Sequence, residues 1–327
     1  MAKNIIVCCD GTGNEYGKKN TNVVKFFEAI EKDSAEQVAY YDPGVGTFSA
    51  PAAFTKTQKL FSKLLGLAFG YGITKNIEDA YEYLMDKYEE DDYVYLFGFS
   101  RGAFTARALA GMLHKCGLLV KGSNNLIPYA TRMYRFGEDS VARGFKKTFS
   151  RVCRPHFVGV WDTVKSIGLI KPRRFPNAKL NPDVNIGIHA LSIDEKRSKF
   201  RPNLWEVAKI AEDVDQFIRQ VWFAGVHSDV GGSYKEAGLS NVTLKWMLDE
   251  ARSQGLLIKE EVYKKIIPCY KDKIHNSLLP LWWILGWKRR KIEIGSLIHK
   301  SVYDRMEDVK SYKPKNVPSK ECVTVWE

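Results

Sequence analysis

The chain has 327 residues, 45% of them hydrophobic and 27% charged, with a formal net charge of +12 at pH 7. These proportions exclude a low-complexity or disordered chain, and the length suits one large α/β domain with insertions or two smaller domains. The charge points toward anionic partners, and no apolar run approaches the roughly 18 residues of a spanning helix.

The N-terminal MAKNIIVCCDGTGN lacks the apolar length and cleavage pattern of a signal peptide. Six scattered cysteines, with no CxxC pair, read as reduced thiols of a cytoplasmic protein. NIIVCC, residues 4–9, has the pattern of a buried strand entering a loop at Asp10-Gly11-Thr12, with Cys8 and Cys9 on opposite faces. TNVVKFFEAIEK carries apolar residues at helical spacing behind a cap at Thr21 or Asn22, and QVAYYDPGVGT is a second strand with a Gly/Pro loop. The apolar, lysine-dotted stretch at 54–72 reads as part of a lid-like insertion over 48–72.

ITKNIEDAYEYLMDKYEE is then a helix, YVYLFGF a buried strand, and HFVGVWD a strand stopped by an acid. KLNPDVNIGIHALSIDEKR reads as leading into a helix that carries His189 and Asp194. IRQVWFAGV is a further strand pattern with His227 directly after it, and LSNVTLKWMLDEARSQG is an amphipathic helix ended by glycine. Strands alternating with helices predict an α/β-hydrolase fold, a mostly parallel sheet with helices on both faces. A catalytic domain over 1–260 and a C-terminal extension over 261–327 packed on it is the expected organisation.

Gly98-Phe99-Ser100-Arg101-Gly102 fits the G-x-S-x-G elbow, between a strand and a helix. Glycines at 98 and 102 free the serine to take a sharp turn, which lifts its Oγ above the sheet. The Arg101 amide at the helix start is then a donor for a developing oxyanion. An ordinary turn serine is the bland alternative.

A serine nucleophile needs a base and an orienting acid. Among six histidines, His114 falls on the elbow helix, His156 at the start of a strand, His189 in the expected helix and His275 in a polar segment. His299 has no strand pattern leading to it, whereas His227 opens a glycine-rich loop at a strand end and is the expected base. Asp162, which ends HFVGVWD, is the expected acid; its alternative is a strand-end cap. Asp229 is too close in sequence to His227 for that role and Asp194 reads as solvated. The second oxyanion donor is expected from Gly11 or Thr12, with Asp10 and Asp229 supporting their loops. A divalent-metal site built from Asp10, Asp162, Asp229 and His227 is a competing reading of the same strand ends.

The blocks CCDGTGNE, YYDPGVGT, LFGFSRGAFTARALAG, VWDTV, HALSIDEKRSKFRP, WFAGVHSDVGGSY and LSNVTLKWMLDEA occur in this order over about residues 4–252. They resemble the α/β-hydrolase family that includes the catalytic domains of type VI secretion phospholipase effectors. The resemblance implies Ser100, Asp162 and His227 as the catalytic residues, acyl esters of membrane phospholipids as substrate, and no cofactor. It also implies export by a dedicated secretion system.

Trp282, Trp283 and Trp287 stand beside Lys288, Arg289, Arg290 and Lys291, a composition that suits a membrane interface or a core segment with a basic solvated end. No helix-turn-helix, zinc-finger or RNA-recognition pattern is present, so nucleic acid is not an expected partner. A cytoplasmic, peripheral phospholipase A type hydrolase is therefore the expectation. A soluble carboxylesterase or thioesterase and a non-catalytic binding module of the same fold are its rivals.

Overall fold

The computed structural model describes residues 2–11, 16–17, 19–32, 34–44, 69–164, 180–206, 216–278, 286–320 and 324–326. The expected lid-like insertion lies almost wholly outside the described residues, as do Thr12, Trp282 and Trp283.

The main strands are β1 (Asn4–Cys9), β2 (Gln37–Asp42), β3 (Tyr93–Phe99), β6 (Pro155–Trp161), β7 (Ile186–Ser192), β8 (Phe217–Phe223), β9 (Leu297–His299) and β10 (Thr324–Trp326). A separate two-stranded pair, β4 (Leu118–Leu119) with β5 (Ser150–Arg151), lies apart from them. The sheet order among the described residues is β10-β9-β8-β7-β6-β3-β1-β2, and every neighbouring pair in it is parallel.

Parallel strands need crossover connections, which lay helices on both faces of the sheet. The composition of β1 follows. Ile5, Val7 and Cys9 face the cluster built with the helices Phe69–Lys87 and Arg101–Cys116. Ile6 and Cys8 face the opposite cluster, built with Asn22–Ala29 and Gly238–Arg252. A strand covered on both sides has no solvated face, so NIIVCC is apolar throughout rather than alternating.

Chain order reverses direction between β1 and β3, the kind of switch point at whose strand C-terminal ends open α/β sheets place their ligand sites. Trp161 anchors the neighbouring edge. It is fully buried against Phe26 and Phe97, with ring centroids 5.9 and 6.5 Å away. Its carbonyl accepts from the Ser100 N–H at 3.1 Å, while the following Asp162 N–H donates to the Ala190 carbonyl at 2.8 Å. These two bonds set Ser100 and Asp162 side by side on adjacent strand ends.

Three expectations are corrected here. His189 lies in β7, not in a helix: GIHALS is buried on both faces, a pattern whose period cannot separate strand from helix. Asp194 follows that strand, and its carboxylate accepts from the Gly225 N–H at 2.7 Å and the Tyr312 hydroxyl at 2.9 Å, so it is not a solvated helix residue. His299 likewise ends a strand, β9, and caps the helix Lys300–Asp308 by accepting from the Ser301 N–H at 3.2 Å.

Candidate active site

Ser100 sits at φ 57, ψ −112, between β3 and the helix Arg101–Cys116. A non-glycine residue in that region is strained and must be held there by its surroundings. The flanking glycines explain how. A Cβ at Gly98 would lie 2.4 Å from the Gly102 carbonyl oxygen, and one at Gly102 would lie 2.0 Å from the Cys9 carbonyl oxygen. The elbow is therefore pressed against β1, and side chains at either glycine would push it away. Arg101, the first residue of the helix, has a guanidinium whose pKa burial lowers to about 10.

Asp162 is fully buried, with φ 43, and its two carboxylate oxygens are shared among three partners. Oδ1 accepts from the Ser192 N–H at 3.0 Å and from Arg290 Nη1 at 2.5 Å. Oδ2 accepts from Arg290 Nη2 at 2.9 Å and from His227 Nδ1 at 2.5 Å. Burial opposes ionisation, but the Arg290 guanidinium and the His227 hydrogen bond outweigh it and hold the carboxyl well below the usual range. An ionised Asp162 requires the proton of neutral His227 on Nδ1, which leaves Nε2 as an acceptor.

His227 opens the short helix His227–Gly231 and is 5% exposed. Its ring packs against Phe99, centroid to centroid 4.7 Å, and against Phe200 at 5.1 Å. Because Phe99 immediately precedes Ser100, this packing brings the imidazole to the elbow. Burial pushes the His227 pKa down, and the Asp162 hydrogen bond only partly offsets it.

Two charged residues at this site were not singled out from sequence. Glu195, 1% exposed, accepts from the His227 N–H at 3.3 Å and takes the Arg197 guanidinium at 2.9 and 2.8 Å. Although burial resists ionisation, Arg197 holds the Glu195 carboxyl at about 2. In sequence, Arg290 belongs to a basic run beside the tryptophans that suits a membrane interface or a basic solvated end. It is instead 5% exposed, and it also donates to the carbonyls of Ser192 at 2.9 Å and Phe200 at 2.7 Å. Trp287 of that segment is 48% exposed.

The loop after β1 differs in one respect from expectation. Gly11 donates its N–H to Asp10 Oδ1 at 2.6 Å, which engages that amide within the loop rather than toward a substrate. Asp10 Oδ2 also accepts from Thr21 Oγ1 at 2.6 Å and the Tyr41 hydroxyl at 2.9 Å. Asp229 accepts from the Val226 N–H at 3.0 Å and from His275 Nδ1 at 2.7 Å. The four residues weighed as a metal site are thus engaged with different partners. Among the described residues, no group of three or more His, Cys, Asp or Glu side chains is placed to hold a metal ion.

Sheet, elbow and buried acid–histidine pair define an α/β-hydrolase-type protein. The family described as "T6SS, Phospholipase effector Tle1-like, catalytic domain" matches residues 3–250, and the chain belongs to it. Over 218 residues the chain is 38% identical to the uncharacterized protein YEL023C of Saccharomyces cerevisiae, a match covering 61% of this chain and 32% of that protein. The matched region is thus about a third of the length of that curated relative. A crystal structure of an uncharacterized Pseudomonas aeruginosa protein aligns with 83% of this chain and 49% of its own, at 18% identity and a TM-score of 0.47. The Tle1 effector, solved bound to the VgrG spike from the Type 6 secretion system, aligns with 72% and 52% at 17% identity and a TM-score of 0.43. Both are loose likenesses, and the fold rests on the sheet itself. Among the described residues no helix is long and apolar enough to cross a membrane.

Proposed function

We propose that the chain is a serine hydrolase that cleaves acyl esters of membrane phospholipids, a phospholipase of the A type. The observation that carries this reading is the 2.5 Å hydrogen bond from His227 Nδ1 to a buried, arginine-held Asp162 on the strand end next to the strained Ser100.

In the proposed reaction, His227 Nε2 accepts the Ser100 hydroxyl proton as Oγ attacks the ester carbonyl. Asp162 fixes the tautomer and stabilises the imidazolium that forms. The Arg101 amide, aided by the helix N-terminus, holds the oxyanion, and Thr12 supplies the second amide because that of Gly11 is engaged. His227 passes its proton to the departing lysolipid, and water then releases the fatty acid from Ser100. The chemistry requires no cofactor.

Family membership supports a phospholipid substrate, and the net charge of +12 favours anionic membrane surfaces. The enzyme works peripherally on those surfaces, with Trp287, and with Trp282 and Trp283, as lipid contacts. Export by a secretion system is part of the same reading. The test is fatty-acid release from mixed phospholipid vesicles alongside a short-chain soluble ester. Serine-dependent release from vesicles supports the proposal. Turnover of the short ester alone makes the protein a soluble esterase, and no turnover of either favours a binding module.

A further inference from the structure

Beside His227, beyond the C-terminal ends of β7 and β8, lies a cleft of about 650 Å³. It adjoins a smaller one of about 210 Å³, and both are lined by Asp194, Lys196 and Arg289. Val226, next to His227 in sequence, contributes to the wall of the larger. So does Ser277, whose hydroxyl donates to Glu195 Oε1 at 3.0 Å, while Glu195 Oε2 takes the His227 N–H at 3.3 Å. One side chain thus separates the cleft from the backbone of the proposed base.

Arg305 lines the cleft and is only 5% exposed. Its Nη1 donates to the Asp272 carbonyl at 2.7 Å and to that of Tyr270, and its plane lies 5.0 Å from the Tyr312 ring. Its Nε has no hydrogen-bond partner. Among the described residues, no carboxylate lies within 4.0 Å of Arg305, Lys196 or Arg289 in an ion pair. Asp194 is near enough for its charge to be felt by Arg305 and Lys196, but it forms no ion pair with the buried guanidinium, and a buried charge so weakly compensated favours a bound anion. Asp194 is the carboxylate in the lining, and it is already committed to the Gly225 N–H and the Tyr312 hydroxyl. Three cations therefore face one acid. Exposed Trp287 and the apolar Leu278 also line the cleft.

We propose that this cleft is a phosphate subsite, with buried Arg305 and the more accessible Lys196 and Arg289 binding the phosphate of a lipid headgroup or of a smaller phosphate ester. This rests on the phospholipase reading for its link to Ser100, but not for its affinity for phosphate. Phosphate oxygens accept from guanidinium and ammonium groups in short, charge-assisted bonds. A headgroup held there anchors the lipid on the His227 side while its ester reaches the elbow.

The test uses the full chain and the double variant Lys196→Gln/Arg289→Gln, with Arg305 left intact. Dihexanoyl phosphatidylglycerol below its micelle concentration presents a phosphate without a membrane surface, and dihexanoylglycerol presents the esters without a phosphate. The expected result is a rise of about tenfold in KM for the phosphatidylglycerol, with dihexanoylglycerol turnover unchanged. Inorganic phosphate and glycerol 3-phosphate should raise the Tm of the wild type but not of the variant. A phosphate-dependent Tm rise without a KM effect assigns the subsite to free phosphate esters and still supports it. Equal KM values together with equal Tm responses in the two proteins overturn the proposal. If neither ester is hydrolysed in a Ser100-dependent manner, the phospholipase reading fails, and the Tm comparison still decides the subsite.

Discussion

Arg290 and Asp162, 128 residues apart in the chain, form a buried bidentate ion pair at 2.5 and 2.9 Å behind the proposed catalytic histidine. The arginine comes from the segment after residue 250, beyond the family match, so chain outside the matched region completes the support of Asp162. The segment is pinned by a hydrogen bond from the Lys288 N–H to the Lys196 carbonyl at 2.8 Å and by Asn316, which donates to the Arg290 carbonyl at 3.1 Å.

Removing one partner of such a pair leaves the other buried and uncompensated. Arg290→Ala is expected to lose about 3–5 kcal/mol of stability by denaturant unfolding. Arg290→Lys keeps a charge but not the two-pronged geometry, and is expected to retain the fold while losing at least about tenfold in kcat. Wild-type stability in Arg290→Ala would contradict this role.

The pH dependence follows from the site. Burial lowers the pKa of His227, so its neutral, accepting form persists below the usual histidine value of about 6.5. The acid limb of kcat/KM on a soluble ester should fall below that value. An acid limb above about 7 would be inconsistent with this environment.

His189 gives a separate signature in stability. It is fully buried, and desolvation, helped by the nearby Arg107 charge, lowers its pKa to about 3. Between about pH 3 and the unfolded value of about 6.5, the unfolded chain binds a proton that the folded chain excludes. Its contribution is therefore intact above about 6.5 and declines as pH falls, by up to about 1.4 kcal/mol per unit. His189→Gln is expected to be less stable at pH 7 and to show a flatter decline toward pH 4 in urea unfolding.

Gly102→Ala probes the elbow through sterics alone. Its Cβ would meet the Cys9 carbonyl oxygen at 2.0 Å, so the helix must withdraw from β1 and carry Ser100 with it. A loss of about 3 kcal/mol and a fall in kcat larger than any change in KM are expected. Thermal unfolding and turnover of the soluble ester check both.

The strand-end residues were legible because their signals are local. The elbow glycines flank Ser100, Asp162 stops an apolar strand, and His227 follows another, so topology delivers all three to one edge. Arg290 was not legible, because WKRRK looks the same whether an arginine is solvated or inserted behind a carboxylate, and only tertiary folding decides. Glu195 was hidden in the charged run DEKR for the same reason. His189 was misplaced because IGIHALS is apolar on both faces and lacks the alternation that marks a half-buried strand. The engagement of the Gly11 amide depends on the rotamer of Asp10, which no pattern encodes.

The most direct measurement is labelling with a fluorophosphonate, followed by peptide mass spectrometry. A single phosphonyl adduct on Ser100 is expected, absent in Ser100→Ala and formed at least about a hundredfold more slowly in His227→Gln. An adduct on another serine, or ester hydrolysis that survives in Ser100→Ala, would contradict the serine mechanism.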